Sequence, residues 1–245
     1  MDQKISGYSF IIWHLLCPFI IFLTVILGLE IFHIDVIFSS YFFDFKASEW
    51  PLRNNWLIKT VFHDWGQKLS IFMGVAIFII FAFSCFLKNL KKYSKPLLFL
   101  FVSSVSGPII IAILKNSTHI YCPWSLRIFG GDKPYIKLFD AVDSSLSIGH
   151  CFPGGHSGGG FAFISLYYFF MLVNPKYRFY GLGAGVFIGS FFGLTQEVRG
   201  AHFLSHDIFS LFICWSLTSI IFIMFFYKQL LWKKKEHLVA LLEKA

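Results

Sequence analysis

The sequence predicts an all-α, polytopic membrane protein with six transmembrane helices and both termini in the cytoplasm. Three observations predict it. The first is composition: 56% of the 245 residues are hydrophobic, 33 are Phe and only 14% are charged, whereas a soluble domain carries about 25% charged residues. A chain this apolar cannot hide its side chains in one small core. The second is six apolar runs, at 8–32, 69–87, 97–114, 158–173, 179–196 and 208–227. Each is near the roughly 20 residues that a helix needs to cross the hydrocarbon of a bilayer. The third is where the charge lies. Segments 1–7, 88–96, 174–178 and 228–245 hold 12 of the 21 Lys and Arg residues, which the positive-inside rule places in the cytoplasm. Most acidic residues, from Asp35 and Asp44 to Glu197 and Asp207, lie opposite. The net charge of +8 is therefore a topology signal and argues for no nucleic-acid partner.

Taken in order, the first run is too long for a signal peptide and lacks a small-x-small cleavage site, so it reads as an anchor. The outer segment 33–68 carries Trp50, Trp56 and Trp65 among Lys and Asp. It reads as an amphipathic stretch lying on the headgroups. Runs two and three flank the basic loop 88–96, with Lys88, Lys91, Lys92 and Lys95. Run four is short, and its start depends on where a glycine-rich turn ends. Run five follows the loop with Lys176 and Arg178. Run six leads into Lys233–Lys235, then Leu238, Val239, Leu241 and Leu242, which reads as a basic amphipathic tail on the inner leaflet. With no repeat, low-complexity tract or linker, residues 1–245 read as one membrane-embedded domain. Cys17, Cys85 and Cys214 fall in apolar runs and read as inert small hydrophobes. Cys122 and Cys151 fall in polar segments, and no metal-type Cys-x-x-Cys spacing occurs.

Three outer stretches carry chemistry. Lys115 closes the third run. Cys151-Phe-Pro-Gly-Gly-His156-Ser-Gly-Gly-Gly160 has five glycines in seven positions, and backbone that bare can bring its N–H groups against an anion. A helix starting near Ser157 would aim its positive end at the same spot. The third stretch is Gln196-Glu-Val-Arg199-Gly-Ala-His202-Phe-Leu-Ser-His206-Asp207. Each residue has a plain reading alone: a glycine turn, a snorkelling Lys or Arg, a hydrogen-bonded packing His. Six ionisable groups at span ends on one side (Lys115, His156, Arg199, His202, His206 and Asp207) point to function. They suit phosphoryl transfer: cations for the non-bridging oxygens, one imidazole to attack phosphorus and another to protonate the departing oxygen.

The order Lys, Pro-Gly-Gly-His, then Arg-Gly-Ala-His-Phe-Leu-Ser-His-Asp resembles the three signature segments of the type 2 phosphatidic acid phosphatase family. These are integral-membrane lipid phosphate phosphatases with a haloperoxidase-related core. The resemblance spans 115–207 and, through the topology, most of the chain. It implies a histidine nucleophile, a phosphohistidine intermediate and no metal or other cofactor. Carried over, Lys115 binds phosphate with Arg199 and the amides of Gly154 and Gly155, His156 is the general acid, His202 the nucleophile, and Asp207 orients it. Four departures stand out. The family's Arg-Pro is Cys122-Pro123 here, with Arg127 one turn on to supply the charge. Gly154 replaces a serine. The family's arginine, six before the histidine, falls on Gln196. The family's carboxylate, four after it, falls on His206, with Asp207 five after. Gly-Ala-His-Phe favours His202 as the nucleophile and makes His206 its neighbour one turn along; His206 is the alternative nucleophile. Cys122 and Cys151, both on the outer side, are expected to form a disulfide in an oxidising compartment; two free thiols are the alternative.

The expected function is hydrolysis of a lipid phosphate or diphosphate at the periplasmic face of a bacterial inner membrane, with no obligate protein partner. Lipid A phosphates, undecaprenyl diphosphate, phosphatidylglycerol phosphate and phosphatidate all fit. A phosphotransferase could use the same machinery. Two rival readings use fewer of these residues. Gly155-His-Ser157-Gly fits a rhomboid-like intramembrane serine protease with His202 as base. His202 and His206, four apart on a helix, fit a histidine-lined cation carrier.

Overall fold

A computed structural model describes residues 7–143 and 145–242, with side chains as far as Tyr227. Lys4 and the side chains of the basic tail 228–245 lie outside the described residues. The described chain is all-helical, with no strand and two isolated β-bridges. Its helices are α1 (Gly7–Ile31), α2 (Ile34–Ser40), α3 (Leu57–Phe86), α4 (Lys91–Lys115), α5 (Gly155–Val173), α6 (Arg178–Glu197) and α7 (Leu204–Leu242).

Five of these, α1, α3, α4, α5 and α7, are long and apolar enough to cross a membrane. The best windows of α1 and α3 have a mean hydropathy of 2.6, yet only 17% and 6% of those residues are buried. Apolar surface turned outward on that scale suits lipid as the surrounding solvent. The fifth expected span, α6, forms as a helix of 20 residues but is not among the five. Gly181, Gly183, Gly185, Gly189 and Gly193 dilute its apolar character. Four of them recur every fourth residue: Gly181, Gly185 and Gly189 face α5, and Gly193 faces Asp207 of α7. A Cβ on Gly160 would sit 2.6 Å from the Gly189 Cα, and one on Gly185 would strike the backbone of Ile164. Small residues at every fourth position let two helices meet backbone to backbone.

The expected boundary of the second span also moves. α3 begins at Leu57, twelve residues before the expected 69, because a π-helical stretch, Leu57–Trp65, runs without a break into the α-helix at Gly66. The outer segment 33–68 is therefore not one amphipathic element. Trp56 and Trp65 are exposed at 67% and 61%, but Trp50 is buried at 7%. Trp50 joins Phe43, Tyr121, Leu126, Phe129 and Phe203 in a small second core made by the loops before α3 and after α4 and the turn before α7. The principal core, Phe10, Phe99, Tyr167, Tyr168, Phe222 and Phe226, ties α1, α4, α5 and α7 at the other end of the bundle.

Candidate active site

The candidate site lies where the last residue of α4, the first turns of α5 and α7, and the turn 198–203 meet. Lys115 ends α4, and its Nζ lies 3.4 Å from where a Cβ on Gly155 would sit. α5 starts at that glycine, so the N–H groups of its first turn lack intrahelical acceptors. His156 follows, with Nε2 buried and unpartnered. Lys115 lies within electrostatic reach of His156, His202, His206 and Asp207, and Arg199 within reach of His156.

The turn 198–203 is held from two sides. Gly200 has φ +73°, and a side chain there would run into the indole of Trp50. Its carbonyl accepts the Trp124 N–H at 2.9 Å. Beside it, Arg199 is buried. Its Nε donates to the Arg53 carbonyl at 3.0 Å and its Nη1 to Gln196 Oε1 at 3.1 Å. Two of five guanidinium donors are thus spent on fixing the fork, leaving capacity for an anion. Gln196, where the family pattern has arginine, serves here as a bracket for Arg199.

His202 and His206 are buried, with Nδ1 to Nδ1 at 3.3 Å. One of the facing nitrogens carries the hydrogen and the other accepts it. Burial, then the nearby charges of Lys115, His206 and His156, holds the His202 pKa well below 6.5. The ring is neutral at ordinary pH, the form with a lone pair to offer phosphorus. The expected pairing of Asp207 with His202 is not what the contacts give. Asp207 follows His206 by one residue, about 100° further round the helix. There Asp207 Oδ1 accepts Ser157 Oγ–H at 2.5 Å, and the Glu197 carboxyl lies within electrostatic reach. His206 has the contact with His202 instead.

Two further expectations change. The Gly154 N–H donates to the His206 carbonyl at 3.0 Å, and the Gly154 carbonyl accepts from Ser210 Oγ at 2.7 Å. That amide is committed to α7 and is not offered to phosphate, so the backbone donors fall to Gly155 and the turn it begins. A side chain at 154 would strike Asp207 and Ser157; the Ser157–Asp207 pair fills the space of the serine that the family pattern has there. Arg127 is exposed, and its Nε donates to the Asp132 carbonyl at 3.2 Å. It is tied into its own turn and appears in none of the contacts around His156 among the described residues. Cys122 and Cys151 are bonded as a disulfide with a Cα–Cα distance of 5.3 Å. Thr118 Oγ1 to the Phe152 carbonyl and Gly149 N–H to the Thr118 carbonyl, both 2.9 Å, lace the same two strands of loop together.

Sequence reasoning missed Glu197, although a carboxyl at the end of an apolar run is a signal in itself. It also missed His63 and Asp64. The His63 ring stacks on His156 with centroids 3.9 Å apart, and its Nδ1 lies 2.6 Å from Asp64 Oδ1. No spacing links position 63 to 156. The protease reading loses its base, because the partners of Ser157 Oγ are Gly154 and Asp207. The cation reading loses the two facing nitrogens, which bond to each other.

A cavity of about 690 Å³ opens from Lys115, Gly155 and His156 and runs between α3 and α4 past Gly74 to Phe78 and Phe101. Its walls are mostly apolar side chains. A family model described as the PAP2 superfamily matches residues 96–230. No curated protein and no solved structure matches the chain.

Proposed function

The chain belongs to the PAP2 superfamily, and from that membership we propose a membrane phosphatase that hydrolyses a lipid phosphate or diphosphate through a phosphohistidine. Superfamily membership supports a phosphatase acting on phosphate esters, and the apolar helices support a multi-pass membrane protein. The lipid part of the reading rests on one observation: the cavity that begins at Lys115 and His156 continues into the apolar region between α3 and α4. From Lys115 to Phe101 is 14 residues of helix, about 21 Å at 1.5 Å per residue. That is room for a long hydrocarbon chain with its phosphate at the mouth.

In the proposed mechanism His202 attacks phosphorus, forming an N–P bond as the bond to the lipid oxygen breaks. Lys115, Arg199 and the first-turn amides of α5 hold the non-bridging oxygens. His156, on the cavity side, gives its proton to the departing oxygen. Water then attacks phosphorus, returns a proton to His156 and releases phosphate and neutral His202. His206 holds His202 through the Nδ1 contact. The concentration of Lys and Arg in segments 1–7, 88–96, 174–178 and 228–245 supports an outward-facing site, which we assign to the periplasmic side of a bacterial inner membrane. Phosphate release from a panel of lipid phosphates in detergent, with and without chelator, tests the reading. An acid-labile phosphoenzyme is expected in wild type and absent in His202→Ala. Activity that survives His202→Ala and is lost in His206→Ala would move the nucleophile to His206, and no release from any lipid phosphate would end the proposal.

A further inference from the structure

We infer that His63, braced by Asp64, is a positioning residue that aims the His156 ring at the departing oxygen. The inference rests on the reading of His156 as the general acid. A general acid works only with its donor atom within about 2.6–3.2 Å of the oxygen it protonates, and a 1 Å misplacement costs on the order of 100-fold. His156 sits two residues into α5, with Nε2 buried and unpartnered. The contact that restrains the plane of its ring is His63, stacked at 3.9 Å with 28° between the planes. Stacked rings cannot pass a proton to each other directly, so the contact serves alignment rather than relay. His63 is in turn fixed at Nδ1 by Asp64 at 2.6 Å. Asp64 also lies within electrostatic reach of Arg199 and Lys59. The dyad therefore joins the acid and the phosphate-holding cation from the partly exposed rim.

The backbone that carries the dyad is itself unusual. His63 and Asp64 lie near the end of the π-helical stretch Leu57–Trp65, and π-helical turns occur frequently at functional sites. Continuing the wider π-turn through position 63 sets the rotation at which both side chains leave α3. These residues also lie outside the matched region 96–230, so the brace is supplied by the part of the chain beyond the superfamily core.

The test compares substrates that differ in their need for an acid. With a long-chain lipid phosphate the departing alkoxide needs a proton; with p-nitrophenyl phosphate the departing phenolate does not. His63→Ala is expected to lower the single-turnover rate of alcohol release from the lipid phosphate about 10- to 100-fold with KM little changed, and to leave the single-turnover release of p-nitrophenolate from p-nitrophenyl phosphate near wild type; the hydrolysis step that follows is common to both substrates. Asp64→Asn should show the same split, smaller. His63→Phe keeps an aromatic face and should restore most of the lipid activity; it also carries the test if the alanine variant fails to fold. His63→Ala combined with His156→Ala should be no slower than His156→Ala alone. Equal losses on both substrates, an additive double variant, or full lipid activity in His63→Ala would each overturn the inference while leaving the phosphatase reading intact. A wild type inactive on both substrates would remove that reading, and this inference with it.

Discussion

At the scale of single residues, the site turns on which partner each buried polar group has found. His202 is buried as the neutral imidazole, its pKa held well below 6.5 by burial and by Lys115. The sign of the pH effect follows. The unfolded chain takes up a proton at this histidine as pH falls below about 6.5, while the folded chain does not. Stability from this group is thus complete above that pH and drains away below it, by about 1.4 kcal/mol for each pH unit until the lowered folded value is reached. Thermal unfolding in detergent at pH 7.5 and 5.0 should show a larger drop for wild type than for His202→Gln; equal drops would contradict it. Ser157→Ala offers a second check. It removes the donor to Asp207 Oδ1 and should cost about 1–3 kcal/mol for a buried acceptor left short. Phosphatase turnover should largely survive, and its loss in a folded variant would restore the serine as a nucleophile candidate. The i, i+4 spacing of His202 and His206 was legible in the sequence, as was the gathering of ionisable groups at span ends. The partner of Asp207 was not, because Ser157 lies 50 positions away and only the packing of α5 on α7 selects it.

At the scale of elements, α6 shows why hydropathy alone misreads a buried helix. Its glycines lower the apolar signal that marks a span, and the same glycines let it reach α5 at backbone contact. The helix was legible as a run of 179–196, but its role was not: the every-fourth-residue glycine face is visible only once a partner helix is known. α5 begins with Gly155 and His156, so whatever displaces α5 displaces the proposed acid. Gly185→Ala puts a methyl into the backbone of Ile164; overpacking of this kind costs about 1–3 kcal/mol, and both the unfolding temperature and activity should fall. Gly183→Ala is the internal control, two residues away with nothing within 4 Å of its Cβ. It should be neutral or stabilising by up to about 1 kcal/mol from helix propensity. Similar losses in both variants would mean that the seam is not where α5 is held. The loop that carries Pro153 and Gly154 is restrained by the Cys122–Cys151 bridge across 29 positions, worth about 3–4 kcal/mol by loop closure. Alkylation of the native protein should leave both cysteines unmodified until reductant is added, and reduction should lower the unfolding temperature.

At the scale of the whole molecule, the bundle joins two solvents. Cations and imidazoles collect at one end of the helices, and the cavity leads from them into a region whose outer surface is built for lipid. Composition made the membrane legible, and the spans located most of the helices. The cavity was not legible, because it arises from the space left between α3 and α4, where a Cβ on Gly74 would meet nothing within 4 Å. That gap makes a decisive experiment available. Gly74→Phe projects a ring into open space rather than into a packed neighbour, so the fold should tolerate it. The ring would block the cavity below the proposed phosphate-binding end and force a long chain to leave several methylenes unburied. Three methylenes at about 0.8 kcal/mol each amount to about 2.4 kcal/mol, roughly a 60-fold loss in kcat/KM for a long-chain lipid phosphate. A short-chain phosphate or p-nitrophenyl phosphate never reaches that depth and should be hydrolysed as by wild type. If the long-chain substrate is also unaffected, the hydrocarbon lies outside the cavity, against the lipid-facing surface, and the phosphate alone is bound by the protein.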